Sequence, residues 1–316
     1  MQGIVPCGTT GESPTLDYEE HERVIKLSVE FAAGRGMVIA GTGSNSTREA
    51  IEMTQQAEAA GANAALLVAP YYNKPTPEGL FRHFKAIADN TKLPLMLYSI
   101  PGRCGIEIGL DTLVRLADAC PNIRAIKEAG GAPDRVSQMK SVLPADFEIL
   151  SGDDSLTLPF MSVGAVGIVS VAGNLIPGEM AQMVQLALKG QWAEAQKIHA
   201  KFNPLFSAFL KLSTNPIPIK AAMALKGICS GELRLPMCEM GDAQVAELRA
   251  ELLRHEVGEA PVEIGDGRVI LGETLVEHGP LVVGAPGLGR DLLVEPGEHS
   301  PGAEQPRLGA HQAHVG

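Results

Sequence analysis

Short apolar runs alternate with longer amphipathic segments along the first half of the chain. The apolar runs are rich in Val, Ile and Leu, and the segments between them carry apolar residues at helical spacing. This alternation is typical of βα units that build a parallel sheet. The pattern predicts seven strands: Gly3–Val5, Met37–Ala40, Ala64–Ala69, Leu95–Tyr98, Ile123–Lys127, Phe147–Leu150 and Val166–Ser170.

Helix signals separate these strands. Asp17 and Glu20 have the spacing of a capping box, and Gly34 ends the segment that follows. Further helices are predicted over 46–60, 77–90 and 110–119. The unit repeats about every 25 to 35 residues, and no strand is followed by a GxGxxG fingerprint, which favours a (β/α)8 TIM barrel over a doubly wound sheet. Seven strands leave this barrel one strand short.

The C-terminal part of the chain has a different composition. Residues 176–211 and 215–228 predict helices, whereas residues 257–316 are rich in glycine and proline and contain no aromatic residue or lysine. We therefore predict a barrel over 1–190, a helical region over 191–256 and a poorly ordered tail over 257–316. The tail carries a strand-turn-strand signal with Asp266 and Gly267 at the turn, but its glycine content disfavours a barrel strand.

Composition and charge restrict the function. The chain has 316 residues, 45% of them hydrophobic, and a net charge of -11. This charge argues against nucleic acid or an anionic membrane as a partner. The five cysteines contain no CxxC pair, and no apolar run approaches a membrane span, so we expect reduced thiols and a cytoplasmic protein.

One lysine stands out against the apolar pattern. Lys127 ends the run "NIRAIKEA", at the C-terminal end of a predicted strand, where active sites of such barrels lie. An apolar barrel mouth disfavours the charged amine, so Lys127 is a candidate Schiff-base nucleophile. The alternative is that its stem packs on the barrel wall while its ammonium pairs with Glu128 or another acid. Other polar residues predicted at strand ends are Thr9, Thr10, Tyr71, Tyr72 and Tyr98.

Two further motifs have structural and functional interpretations. Asp153 and Asp154 resemble a metal pair, but their place before a predicted helix favours capping. "AGTGSN" is similar to a phosphate loop but lacks the Gly-Lys-Ser/Thr ending, which favours a tight turn. Likewise, buried tyrosines are often plain core residues, and His21 is expected on a polar, exposed helix face.

The order of motifs from Gly3 to Met237 resembles the dihydrodipicolinate synthase family of class I pyruvate aldolases. The resemblance rests on GTTGES, AGTGSN, PYYNKP, LYSIPGRCG, IKEA, SGDD, NPIPIK and LRLPM. It implies a lyase that condenses pyruvate with aspartate semialdehyde for lysine biosynthesis and requires no metal or organic cofactor. It also implies a homo-oligomer, a dimer of dimers.

The resemblance also implies site residues. Lys127 matches the imine-forming lysine, and Tyr98, Thr9 and Tyr72 match a proton relay to which the neighbouring subunit contributes Tyr72. Thr10, Gly152 and Val169 match the pyruvate site, and Arg103 matches the residue that holds the second substrate's carboxylate. Positions that bind lysine as a feedback inhibitor in some members match Ser13, His21, Asn45, Glu49 and Tyr71.

Departures from the family pattern keep alternatives open. Ser99 and Cys104 replace the common asparagine and threonine, and the strand and helix that precede GIVPCGTTGES in the family are not seen. We expect such a chain to leave two barrel strands unpaired and to be poorly soluble or inactive. The alternatives are a lyase for N-acetylneuraminate or a 2-keto-3-deoxy sugar acid, and a non-catalytic barrel.

Overall fold

A computed structural model describes residues 1–255, 257 and 272–276. Eight strands form a closed barrel in the order β1 to β8. Seven of them run parallel, and each lies within one residue of its predicted bounds. The strands are β1 Gly3–Pro6, β2 Met37–Gly41, β3 Ala64–Val68, β4 Leu95–Ser99, β5 Ile123–Glu128, β6 Glu148–Ser151, β7 Gly167–Ser170 and β8 Gly272–Val276.

The eighth strand comes from the tail and runs in the opposite direction. β8 pairs antiparallel with β1, Gly3 opposite Leu275, and antiparallel with β7, Val169 opposite Leu275. Two sequence predictions are therefore wrong: β1 and β7 are not left unpaired, and the glycine-rich tail does supply a barrel strand. The predicted turn at Asp266 and Gly267 lies outside the described residues.

Helices cover the outside of the barrel. The predicted capping box is confirmed, because Asp17 accepts a hydrogen bond from the Glu20 amide (2.8 Å) and the Glu20 carboxylate accepts one from the Asp17 amide. The helices are α1 Tyr18–Ala32, α2 Thr47–Ala59, α3 Pro77–Ala88, α4 Pro101–Cys104, α5 Leu110–Ala119, α6 Pro133–Val142, α7 Thr157–Met161, α8 Pro177–Leu188, α9 Trp192–Lys211, α10 Ile217–Leu225 and α11 Asp242–Arg254.

Two apolar layers hold this arrangement together. A small inner cluster fills the barrel and includes Val5, Met96, Ala125 and Leu150, whereas a larger outer layer lies between the strands and the helices. Because side chains alternate along a strand, β2 to β7 each contribute to both layers. The barrel interior is thus a packed core, and space for chemistry exists at the strand ends. No helix in the described part of the chain has the length and apolarity needed to span a bilayer.

Candidate active site

The alternation along β5 determines where its lysine points. Ala125 belongs to the inner cluster and Ile126 to the outer layer. Two residues after Ala125, Lys127 therefore faces the barrel interior, and Glu128 faces the helices. The Lys127 side chain is 1% exposed, among the largest fully buried side chains of the described residues.

Tyr98 lies directly beside Lys127. The two residues are register neighbours on β4 and β5. Lys127 Nζ is 4.1 Å from the centroid of the Tyr98 ring, and Tyr98 is itself 4% exposed. The sequence prediction that these two side chains meet at the same end of the barrel is confirmed.

Gly152 and Val169 form the next part of the wall. The Gly152 amide donates to the Glu128 carbonyl (2.8 Å). A Cβ at this position would lie 2.8 Å from Ala129 Cβ and 3.1 Å from Lys127 Cε, so the glycine leaves room for the lysine stem. Val169 is fully buried on β7 and belongs to the inner cluster. Both residues therefore share the interior of the barrel with Lys127.

Glu128, the alternative partner proposed for Lys127, is engaged on the outer side of β5. Its carboxylate accepts hydrogen bonds from Arg135 Nε (2.8 Å) and from the Gly130 amide (2.6 Å). Burial raises the pKa of Glu128, and the Arg135 guanidinium opposes this rise. The structure thus gives Glu128 a cation of its own, which weakens the interpretation of Lys127 as its ion-pair partner.

Thr9 and Thr10 lie on the loop after β1. Thr10 is 1% exposed, and its hydroxyl accepts a hydrogen bond from Asn215 Nδ2 (3.0 Å). Asn215 belongs to the NPIPIK motif just before α10, and its Oδ1 is buried without a hydrogen-bond partner in the described part of the chain. The role of Asn215 was missed from sequence, although the motif that contains it was recognised.

A cavity of about 630 Å³ opens beside this loop. It is lined by Thr9, Tyr98 and Arg103 on one side. Arg103 is exposed, and its Nη2 donates to the Asn215 carbonyl (3.0 Å). Lys127 and Thr10 are almost fully buried and are not among the lining residues. The cavity therefore reaches the tyrosine and the arginine of the predicted site, with the lysine behind them.

The predicted lysine-binding residues extend the same cavity. Ser13, His21, Glu49 and Tyr71 line it, and Asn45 donates from Nδ2 to the Tyr71 carbonyl (3.2 Å). His21 is buried, not exposed as the sequence suggested, because its Nε2 is bonded to the Gly41 carbonyl (2.8 Å). Burial lowers the pKa of His21. The structure thus brings all five predicted residues to one region.

Tyr72 is separate from this group. It is 90% exposed, with a backbone φ of 71°, a conformation that non-glycine residues rarely adopt. Within one chain, Tyr72 is not among the residues that line the cavity of Thr9 and Tyr98. A relay that includes its hydroxyl would need a second copy of the chain.

The two aspartates after β6 have structural roles. Asp153 caps the following 3-10 turn by accepting from the Ser155 amide (2.8 Å), as predicted. Asp154 accepts from the Ser170 hydroxyl and from the Ala172 amide, and burial raises its pKa to about 6. Among the described residues, no group of three or more His, Cys, Asp or Glu side chains could hold a metal ion.

The glycines of AGTGSN allow close backbone contact. A Cβ at Gly41 would lie 2.2 Å from the Cys7 carbonyl oxygen, and one at Gly43 would lie 2.3 Å from the Val68 amide nitrogen. These glycines therefore pack β2 and its loop against neighbouring strands. Packing between strands accounts for these two glycines without a phosphate ligand.

Comparison with known proteins gives the family. The model of the dihydrodipicolinate synthetase family matches residues 1–255. The chain belongs to this family. A 4-hydroxy-tetrahydrodipicolinate synthase from Sulfurihydrogenibium is 52% identical over 255 residues, which are 80% of this chain and 87% of the relative.

Two solved structures of the family have the same fold. The synthase of Methylacidiphilum fumariolicum is 52% identical, with a TM-score of 0.80, covering 81% of this chain and 85% of that one. The enzyme of Cyanidioschyzon merolae, whose structure was determined with lysine bound, is 41% identical, with a TM-score of 0.78 over 81% of this chain and 86% of that one. The TIM barrel predicted from sequence is confirmed by this similarity.

Proposed function

We propose that this protein is a 4-hydroxy-tetrahydrodipicolinate synthase that condenses pyruvate with L-aspartate 4-semialdehyde in lysine and diaminopimelate biosynthesis. The observation that carries the proposal is the buried Lys127, whose amine lies 4.1 Å from the Tyr98 ring at the C-terminal end of the barrel. The name shared by relatives about 50% identical supports the choice of substrates. No comparable observation favours the sugar-acid lyase or the non-catalytic barrel.

The proposed reaction begins with an imine. The neutral Lys127 amine attacks the pyruvate ketone, and loss of water gives the imine. Removal of a proton from the methyl carbon gives an enamine, which forms a C–C bond to the aldehyde carbon of the semialdehyde. The substrate's own amine then displaces Lys127 by transimination, closing the ring and releasing the enzyme.

Tyr98 is proposed to move the protons of these steps. Its position against Lys127 allows the hydroxyl to reach a group attached to the lysine nitrogen, and Thr9 lies at the same cavity. Thr10 is proposed to hold the pyruvate carboxylate through its hydroxyl and amide, donors that are fixed before the anion arrives. Arg103 at the mouth is proposed to bind the semialdehyde carboxylate.

The proposal includes assembly and regulation. A homo-oligomer built from dimers is supported by Tyr72, because an exposed aromatic side chain on strained backbone is suited to insertion into a partner. Lysine as a feedback ligand is supported by four residues that line the cavity, Ser13, His21, Glu49 and Tyr71, and by Asn45, which donates to the Tyr71 carbonyl. The proposed compartment is the cytoplasm, which accords with five cysteines that are all unpaired.

Borohydride trapping tests the imine. Pyruvate with borohydride should attach one reduced pyruvate to Lys127, located by peptide mass mapping, and Lys127→Ala should abolish both the adduct and the condensation activity. Tyr98→Phe should slow turnover by about 10² to 10⁴. Lys140→Ala, which alters a lysine on the outer helix α6, is the matched control and should behave like the parent. An adduct on Lys74 or Lys140 would refute the assignment.

A further inference from the structure

The loop that carries Thr9 and Thr10 is held in an unfavourable backbone form. Cys7 and Glu12, at its two ends, have φ angles of 57° and 56°, in the left-handed region. For residues other than glycine, such conformations are unfavourable and persist only where surrounding contacts fix them. Contacts from outside the loop must therefore determine where the two threonines lie.

The Glu12 side chain makes those contacts. It is 9% exposed, and its two carboxylate oxygens have different partners. Oε1 accepts from Lys220 Nζ on α10, and Oε2 accepts from the Arg234 backbone amide at 2.8 Å. Both partners lie more than 200 residues away in the sequence. The C-terminal helical region is thus attached to the loop after β1 through one carboxylate.

The segment that leads into α10 also contacts Thr10. Asn215, two residues before the start of α10, donates to the Thr10 hydroxyl (3.0 Å). Lys220, within the first turn of α10, binds Glu12. These two contacts are two residues apart on the loop, and together they fix its backbone on either side of Gly11.

Charge gives the ion pair a second consequence. Glu12 places a negative charge two residues from Thr10, and the Lys220 ammonium, 13% exposed in its side chain, neutralises it. Without Lys220, a poorly hydrated carboxylate would remain close to the proposed position of the pyruvate carboxylate and repel it.

We propose that Glu12 and Lys220 form a positioning pair for pyruvate: the pair holds the Thr9–Thr10 loop in its binding form and screens the anion site from the Glu12 charge. Neither residue lines the cavity at the mouth, so neither is a catalytic residue. The inference rests on the proposed function, because it assigns the pyruvate carboxylate to Thr10.

Steady-state kinetics with separate variation of the two substrates tests the pair. Lys220→Met should raise the KM for pyruvate by about 10-fold or more, while the KM for the semialdehyde stays within about threefold of the parent. Lys220→Arg, which keeps the charge, should retain the parent KM for pyruvate. The double variant Glu12→Gln with Lys220→Met should recover most of the loss, because no buried charge then lacks a partner.

This test includes a control variant at a distant ion pair and a second variant of the Glu12–Lys220 pair. Asp146→Asn breaks the Arg124–Asp146 ion pair (2.7 Å) at the opposite end of the barrel strands and should leave both KM values unchanged. If Lys220→Met does not yield folded protein, Glu12→Ala should still raise the KM for pyruvate selectively, since both acceptors are lost.

Four results would contradict the positioning role, the charge argument or the proposed function. Equal changes in both KM values, or a lower melting temperature with unchanged KM values, would overturn the positioning role. Failure of the double variant to recover would overturn the charge argument. If the parent chain itself forms no borohydride-trapped adduct with pyruvate, the proposed function fails, a result independent of either variant.

Discussion

Arg103 should discriminate between the two proposed substrates. Its guanidinium stands at the cavity mouth, held by the Asn215 carbonyl, while Thr10 lies deeper in the barrel. Arg103→Ala should therefore lower kcat/KM for aspartate semialdehyde by a factor that corresponds to a loss of about 2 to 5 kcal/mol of transition-state stabilisation. Formation of the pyruvate imine should change little. The measurement compares condensation kinetics with the pyruvate dependence of borohydride trapping.

Arg103→Lys is the matched variant for this test. It keeps the charge but not the planar fork, so an intermediate loss is expected. If Arg103→Ala weakens the use of both substrates equally, the side chain supports the fold of residues 214–215 and does not recognise the semialdehyde.

For single residues, the sequence identified candidate site residues where a polar side chain interrupts or ends a buried strand. Lys127 was found because a lysine interrupts a buried, alternating strand, and Tyr98 because it ends the neighbouring one. Glu12 and Asn215 carried no such signal, since their partners are some 200 residues away. Contacts of that kind depend on how α10 packs, which no periodicity specifies.

Among the helices, α1 and α2 each carry one residue proposed to bind lysine, His21 and Glu49. The Glu49 carboxylate accepts from the Ser44 hydroxyl (2.9 Å) and is also bonded to the Tyr18 side chain. Millimolar lysine should inhibit the condensation, because Glu49 offers a carboxylate to an ammonium group. Glu49→Ala should remove this inhibition while basal activity stays at the parent level, as measured by lysine titration of the assay.

Tyr18→Phe serves as the comparison for the Glu49 variant. It removes one hydrogen bond to Glu49 without removing the carboxylate, so inhibition should persist. Full activity of the parent protein at high lysine would contradict the proposed lysine-binding site.

Packing between α2 and α3 should make stability pH-dependent. His83 on α3 is 6% exposed, with Nδ1 bonded to the Thr47 hydroxyl (2.9 Å), and burial lowers its pKa from 6.5 to about 4. As the pH falls from 6.5 to 4, the unfolded chain takes up a proton that the folded chain does not. The free energy of unfolding should therefore fall by about 3 kcal/mol across this range through His83.

His83→Asn tests this titration. The amide can still bond to Thr47 but does not ionise, so the variant should show a shallower loss of stability between pH 6.5 and 4. Denaturant unfolding of both proteins at several pH values gives the difference, which separates His83 from carboxyl groups that titrate in the same range. Parallel pH profiles would show that His83 does not control acid stability.

Element prediction succeeded for the strands and the long helices and failed for the shortest helices. The seven parallel strands and the helices α1, α2, α3 and α5 follow the predicted bounds closely. Helices α4 and α7 have only 4 and 5 residues, too few to show a helical period. α4 nevertheless carries Arg103, a proposed substrate-binding residue. The sequence indicated Arg103 only through the family motif LYSIPGRCG.

At the scale of the whole molecule, barrel closure depends on a strand that composition argued against. Glycine weakens a strand in isolation, but β8 lies between two existing edges, and both edges offer backbone hydrogen bonds. The neighbouring strands therefore compensate for the low β propensity of the segment. The expectation of an aggregating open barrel rested on unpaired edges at β1 and β7, and closure by β8 removes that basis.

Deleting this strand should open the barrel. A chain that ends at Val257 lacks β8 and exposes the backbone edges of β1, which leads into the Thr9–Thr10 loop, and of β7, which carries Val169. Exposed edges promote association, and both flanking strands contribute to the proposed site. We expect this chain to elute as aggregate in size-exclusion chromatography, to melt at lower temperature and to lose condensation activity.

A chain that ends at Leu281 is the matched control, because it retains β8 while removing the residues that follow. It should remain as monodisperse and active as the parent. Comparing the two truncations isolates the strand from the rest of the tail, since only the shorter chain loses the pairing of Leu275 with Gly3 and Val169. A monodisperse and fully active chain ending at Val257 would show that β1 and β7 need no strand between them. The proposed site would then be held by the seven parallel strands and the contacts of α10 alone.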